Sequence, residues 1–200
     1  MRRFVLTIVC GIIGAAAIGC GLGVASDKPA ASGSAQSQPS GEFPDSYYYY
    51  DKKRPADLRA LEGKPAPGIT VKDWIGESQD LSKLKGKVVI VDFWATWCPP
   101  CRASLAHNVE MAEKHKENGL VIIGIHDSKR GSEAMPGMAK DKGINYPLSV
   151  DKDGASVKAY HVTFWPTYVL IDRKGIIRAA GVEPGSVEKV ALKLLEEKAE

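Results

Sequence analysis

The strongest constraint on this chain is an apolar run that ends in a closely spaced cysteine pair. Val88 to Trp94 is unbroken by any polar residue except Asp92, and Trp97-Cys98-Pro99-Pro100-Cys101-Arg102 follows within a few residues. Continuous apolarity of this length suits a strand buried on both faces. From Pro99 onward the sequence reads as a helix, with prolines suited to its first turn. A cysteine at such a strand-to-helix turn sits where free backbone N–H groups and the helix dipole favour an anion. The thiolate is the nucleophile, so the chemistry these residues point to is thiol–disulfide exchange. Cys98 is expected exposed at the helix tip as the attacking thiol. Cys101, about a turn deeper, is the resolving one. Pro99 and Pro100 lack N–H groups and tune the reduction potential of the pair.

Asp92 is out of place in that run. Burying a carboxylate without a partner is costly, and desolvation raises its pKa into the range of a usable base. It is therefore a candidate to take the proton of Cys101. The alternative is an ion pair at the sheet margin, with Lys87 or another lysine. A metal reading of Cys98 and Cys101 is disfavoured, because a zinc site needs four ligands and His107, His115, His126 and His161 are scattered without metal spacing. If the strand after the helix runs parallel to the first, His126 lies on the same sheet edge as Cys98. A loop histidine without a role is the simpler expectation.

The rest of the chain reads as strands alternating with helices. Ile69 to Trp74 suggests a short strand. The helix after Cys98 extends to about Lys116, with Leu105, Val109 and Ala112 at helical spacing. Leu120 to Ile125 is a second buried strand, followed by a helix near 133–142, an extended Tyr146 to Val150 and a short helix through Tyr160. Thr167 to Ile171 and Ile176 to Val182 form a hairpin around Asp172-Arg173-Lys174-Gly175. A last helix, Val187 to about Lys198, repeats Val187, Val190, Ala191, Leu194 and Leu195. The fold class is α/β: a central mixed β-sheet flanked by helices on both faces, with a short N-terminal β extension.

The N-terminus reads as a targeting segment. Arg2 and Arg3 precede an uncharged stretch, Phe4 to Ile18, that is short for a spanning helix of ~20 residues. Ala17-Ile18-Gly19-Cys20 resembles a lipoprotein signal, with residues 1–19 removed and Cys20 lipidated. Ordinary cleavage after Ala25, giving a secreted protein, and a permanent N-terminal anchor are the alternatives. Each places the domain outside the cytoplasmic membrane, in the periplasm or cell envelope, where a cysteine pair is oxidised unless something reduces it. Residues 20–60 read as a disordered linker, rich in Ser, Ala, Gly, Pro and Gln up to about 45, and 61–200 as the folded domain. Tyr47 to Tyr50 either packs on the domain or touches a membrane or partner, the simpler reading being a linker end without function. Without Arg2 and Arg3 the chain has 25 basic against 24 acidic residues, a formal charge of +1 in place of +3, which disfavours nucleic-acid binding.

The stretch from Val91 to Arg102 resembles the active-site segment of the thioredoxin superfamily, and specifically its extracytoplasmic TlpA/ResA-like branch. Leu84 to Val89 and Pro166 to Gly175 are similar to that branch's strand entry and late turn. The resemblance spans roughly residues 62–198 and implies a thioredoxin-like fold and a membrane-tethered thiol:disulfide oxidoreductase that reduces protein disulfides. It implies no cofactor beyond the Cys98–Cys101 disulfide, a membrane electron donor as partner, and a monomer. Trp97, Pro99, Pro100, Trp165 and Pro166 would line the substrate groove, with Pro166 cis, where an X-Pro pair alone would be read as trans. Trp165 is bulky for its position. TlpA/ResA-like chains often carry Glu three residues after the second cysteine; here that residue is Ser104. Asp92 instead matches the buried Asp of thioredoxin. Two other enzyme readings are a disulfide-forming oxidant and a peroxidase; Ala95 stands where peroxiredoxins carry Thr. A copper carrier using His126 or His161 is the reading from another class.

Overall fold

The computed structural model describes residues 42–198. The signal segment, Cys20 and most of the expected linker lie outside the described residues. Six strands form one sheet in the order β1-β4-β3-β2-β5-β6. They are β1 (Val71–Ile75), β2 (Val88–Trp94), β3 (Leu120–His126), β4 (Leu148–Asp151), β5 (Thr167–Ile171) and β6 (Ile177–Val182). β2, β3 and β4 are mutually parallel, whereas β1, β5 and β6 run antiparallel to their neighbours. The helices are α1 (Ala56–Arg59), α2 (Pro99–His115), α3 (Met135–Asp141), α4 (Ala155–Ala159) and α5 (Val187–Glu196).

All seven residues of β2 are buried, as expected of a strand covered on both faces. Its alternate residues divide the core. Val88, Ile90 and Trp94 join Leu105 and Met111 of α2 and the stripe Val187, Val190, Ala191 and Leu194 of α5. Val89, Val91 and Phe93 join Leu58 and Tyr160 on the opposite face. Burial of each large aliphatic side chain contributes about 1.5–3 kcal/mol, so α5 is held by its one apolar stripe.

Helix α2 differs from expectation in rotation. Its inward face carries Cys101, Ser104, Leu105, Asn108, Met111 and His115; Val109 and Ala112 are only partly buried and flank that face. The helix turns two polar residues inward because polar groups on the sheet receive them there.

The packed region begins well before residue 61. Phe43, Tyr48 and Leu58 are buried, so residues 43–60 belong to the folded unit and not to a linker. This segment covers the free edge of β6, a position that otherwise exposes unpaired backbone groups. Tyr48 bridges Val182 antiparallel, and Pro65 bridges Ile176. Tyr49 N–H donates to the Gly181 carbonyl at 3.0 Å, and Glu183 N–H to Tyr47 at 3.0 Å. Arg54, itself buried, pairs with Glu62 and donates to the Ala180 carbonyl at 2.9 Å.

Candidate active site

The parallel pairing of β2 with β3 aligns Trp94 with His126. The antiparallel pairing with β5 aligns Phe93 with Thr167. Both the turn before Cys98 and the Trp165–Pro166 segment therefore meet at the C-terminal end of β2. The Trp165–Pro166 bond is cis, and the Trp165 ring lies 5.8 Å from that of Trp97.

Cys98 is the N-cap of α2, with Pro99 and Pro100 in the first turn. It is disulfide-bonded to Cys101, with Cα atoms 5.3 Å apart. Cys101 N–H donates to Cys98 Sγ at 3.3 Å. The expected contrast between an exposed Cys98 and a deeper Cys101 is not observed: the residues are 3% and 1% exposed. Cys98 belongs to the apolar cluster on which Trp165 packs, while Pro99 and Pro100 are exposed beside it.

Asp92 is 1% exposed and points to the α2 side of the sheet. No ion pair reaches it among the described residues; Lys87 is exposed beyond the far end of β2. Its partner is instead Asn108, whose Nδ2 donates to Asp92 Oδ2 at 3.0 Å and also to the Tyr168 hydroxyl at 3.0 Å. Tyr168 is the residue opposite Asp92 in the β2–β5 register. The Ser104 hydroxyl lies 2.9 Å from that of Tyr168 and donates to the Cys101 carbonyl at 2.9 Å. With Asn108 supplying protons to both neighbours and Ser104 spending its own on Cys101, Tyr168 donates to Ser104. Hydrogen bonds thus run outward from the Asn108 amide, to Asp92 on one side and through Tyr168 and Ser104 to the Cys101 carbonyl on the other.

Burial raises the Asp92 carboxyl from 3.8 to about 8, against the opposing pull of the Asn108 amide that donates to it. Its Oδ1 has no partner among the described residues, which is consistent with a group that is neutral near pH 7. Burial, with the Asp92 charge adding to it, pushes the Tyr168 hydroxyl well above the ordinary tyrosine value.

His126 is fully buried rather than a loop residue. Its Nδ1–H donates to the Asp127 carbonyl at 2.7 Å, which leaves Nε2 to accept from Thr96 N–H at 2.8 Å. Burial lowers its pKa and holds it neutral. Both ring nitrogens are therefore engaged in bracing the turn that presents Cys98, and neither is free to ligate copper. Thr96 Oγ1 donates to the Gly131 carbonyl at 2.7 Å. Gly131 has φ of +83°, and a Cβ there would meet that oxygen at 2.6 Å.

Sequence reasoning singled out Cys98, Cys101, Asp92, Trp97, Pro99, Pro100, Trp165 and Pro166, and the structure brings them to one end of the sheet. It missed Asn108, Tyr168 and Thr96 and gave no role to Ser104. The spacing of Cys101, Ser104, Leu105 and Asn108 on one helical face was the available signal.

A family model described as "AhpC/TSA family" matches residues 63–180. The thiol-disulfide oxidoreductase ResA of Bacillus cereus is 35% identical over 127 residues, 64% of this chain and 70% of that protein. The thioredoxin domain of a thiol-disulfide oxidoreductase from Bacteroides vulgatus superposes with a TM-score of 0.60 at 25% identity, covering 68% of this chain and 98% of that one. A thioredoxin-family thiol:disulfide interchange protein from Chlorobium tepidum gives 0.56 at 27% identity, covering 66% and 95%. The cysteine pair, its place in the sheet and these likenesses together make the chain a member of the AhpC/TSA family and, within it, a TlpA/ResA-like thiol–disulfide oxidoreductase.

Proposed function

We propose that this oxidoreductase works as a reductant of protein disulfides, with Cys98 attacking and Cys101 resolving. The Cys98 thiolate attacks one sulfur of a target disulfide, forming a mixed disulfide and releasing the other target sulfur, which takes up a proton. Cys101 then passes its proton to the Asp92 carboxylate and attacks Cys98 Sγ. The second target sulfur leaves as a thiolate, and two electrons have moved from the dithiol to the target. The protein is left in the disulfide form.

The observation that carries the reductive direction is the scarcity of backbone N–H donors around Cys98 Sγ. Oxidants of this kind stabilise their reduced form. Here two of the first-turn N–H donors are replaced by Pro99 and Pro100, leaving the Cys101 N–H at 3.3 Å. A less stabilised thiolate lowers the pair's potential.

The sequence features at the N-terminus support an extracytoplasmic location, with Cys20 lipidated and the domain tethered to the membrane. A membrane electron donor would then return Cys98–Cys101 to the dithiol, and the tethered domain would act as a monomer. Trp97, Trp165 and Pro166 would border the target's cysteine.

Trapping tests the assignment of roles. Cys101→Ser should accumulate a mixed disulfide with a reducible protein such as insulin, and Cys98→Ser should accumulate none. Accumulation by Cys98→Ser alone would reverse the two roles.

A further inference from the structure

Disulfide exchange needs two sulfurs, a proton acceptor and a cleft for the target's cysteine. The structure adds a strip of aromatic rings that runs outward from that cleft. Trp97 follows Thr96 directly before Cys98 and its ring lies 5.8 Å from Trp165. Phe164, next in the chain, meets Tyr49 edge-on at 5.3 Å and Tyr50 edge-on at 5.5 Å. Among the described residues the large exposed apolar side chains are Tyr50 at 61%, Trp97 at 37% and Leu192 at 38%, so two of the three mark the ends of this one strip. Arg130 stacks on Trp97 at 4.6 Å and closes the inner end.

The outer end is built by the N-terminal segment, and it is firmly held. Tyr48 pairs with Val182 and lies under Arg54, whose guanidinium is 3.7 Å from its ring centre. Directly after it, Tyr50 and Asp51 adopt φ of 65° and 45°. Consecutive left-handed residues other than glycine are unfavourable and persist only where the surroundings enforce them. This turn projects Tyr50 over Phe164 into solvent, where an ordinary linker end would leave it unconstrained.

We propose that the strip from Trp97 through Trp165 and Phe164 to Tyr49 and Tyr50 docks an extended segment of the disulfide-bearing substrate protein, one that carries an aromatic side chain a few residues from its reactive cysteine. The occupant follows from continuity: the strip starts beside Cys98, so whatever lies on it is covalently attached to the cysteine being attacked. The steps from Trp97 to Trp165, 5.8 Å, and from Phe164 to Tyr50, 5.5 Å, each match nearly two residues of extended chain at about 3.3 Å per residue. Edge-to-face packing is the geometry in which aromatic side chains add affinity beyond their buried area. The proposal rests on Cys98 as the exchanging thiol and adds a preference among substrates.

The test compares two short single-cysteine peptides, each oxidised to its symmetrical disulfide, with Phe or Ser about four residues to either side of the cysteine. Glutathione disulfide is the third substrate, and the full chain is used throughout. The parent should favour the Phe peptide over the Ser peptide in kcat/KM by about 2- to 12-fold, the range of one aromatic pair. In Tyr50→Ser, and in the Tyr49→Ser/Tyr50→Ser double variant, that ratio should fall towards one. Tyr50 is exposed, so the single variant retains its fold. No preference in the parent, or a preference that survives in Tyr50→Ser, overturns the docking surface. Failure of the parent to exchange with any of the three substrates, or exchange that survives in Cys98→Ser, would instead overturn the assignment of Cys98, and the proposal with it.

Discussion

Replacing Asp92 by Asn removes a carboxylate buried between β2 and α2, and its raised pKa sets the sign and rough size of the effect. Asp92 titrates near 3.8 when unfolded and at about 8 when folded. The folded state therefore holds the proton more tightly. Below the unfolded value both states are protonated and the residue costs nothing. Between the two values unfolding releases a proton, so stability falls as pH rises, and above the folded value the loss is complete. At about 1.4 kcal/mol per pH unit, the loss is on the order of 4 kcal/mol between pH 4 and pH 7. Asparagine is neutral throughout and keeps the shape. Other carboxylates tilt both curves alike, so the informative quantity is the difference between variant and parent. Urea unfolding of the two oxidised proteins from pH 4 to pH 9 gives it, with unchanged slopes checking that the same surface is exposed. The variant should gain on the parent steadily to about pH 8 and then level off. A difference that does not vary with pH would refute a raised Asp92 pKa, and with it a carboxylate basic enough to take the Cys101 proton.

Three further outcomes follow from neighbouring contacts. Asn108→Ala removes the amide that donates to Asp92 Oδ2 at 3.0 Å and opposes the rise of its pKa, so the levelling-off in the same urea experiment should move to higher pH. His126→Leu leaves Thr96 N–H buried without its acceptor, at a cost of about 1–3 kcal/mol; exchange with glutathione disulfide should also slow, as the turn before Cys98 loses its brace. Arg54→Leu leaves Glu62 with little solvent and no cation, since the two side chains are 4% and 11% exposed. A loss of about 3–5 kcal/mol should appear in urea unfolding, whereas a neutral result would mean that the N-terminal segment is not integral to the domain.

The parts of the fold that were legible in the sequence are those whose signal is local. β2 is an apolar run interrupted only by Asp92 and β3 one that ends at His126, the β5–β6 hairpin is flagged by Asp172 to Gly175, and α5 repeats its apolar residues at helical spacing. The sequence of α2 shows a helix but not its rotation, because Ser104 and Asn108 face inward to meet Asp92 and Tyr168, and those partners come from two different strands. Residues 43–60 were illegible for a related reason. Their burial depends on the edge of β6, where Tyr48 meets Val182 far along the chain, and their polar, tyrosine-rich composition carries no periodicity. At the site, the two cysteines and Asp92 stand out by residue type alone. His126 and Thr96 do not, since their importance lies in hydrogen bonds across β2 and β3. The burial of Cys98 likewise depends on the apolar cluster around it and on Trp165, a residue distant in sequence.

The central claim is that the Cys98–Cys101 pair is poised to give electrons. The equilibrium reduction potential of the pair, measured in the full chain against a glutathione or dithiothreitol couple, tests it most directly. A value close to that of thioredoxin, about −270 mV, is expected, because Pro99 and Pro100 displace N–H donors from the first turn of α2. A value near −120 mV, about that of DsbA, would show a strongly stabilised thiolate at Cys98 and contradict the reductive assignment.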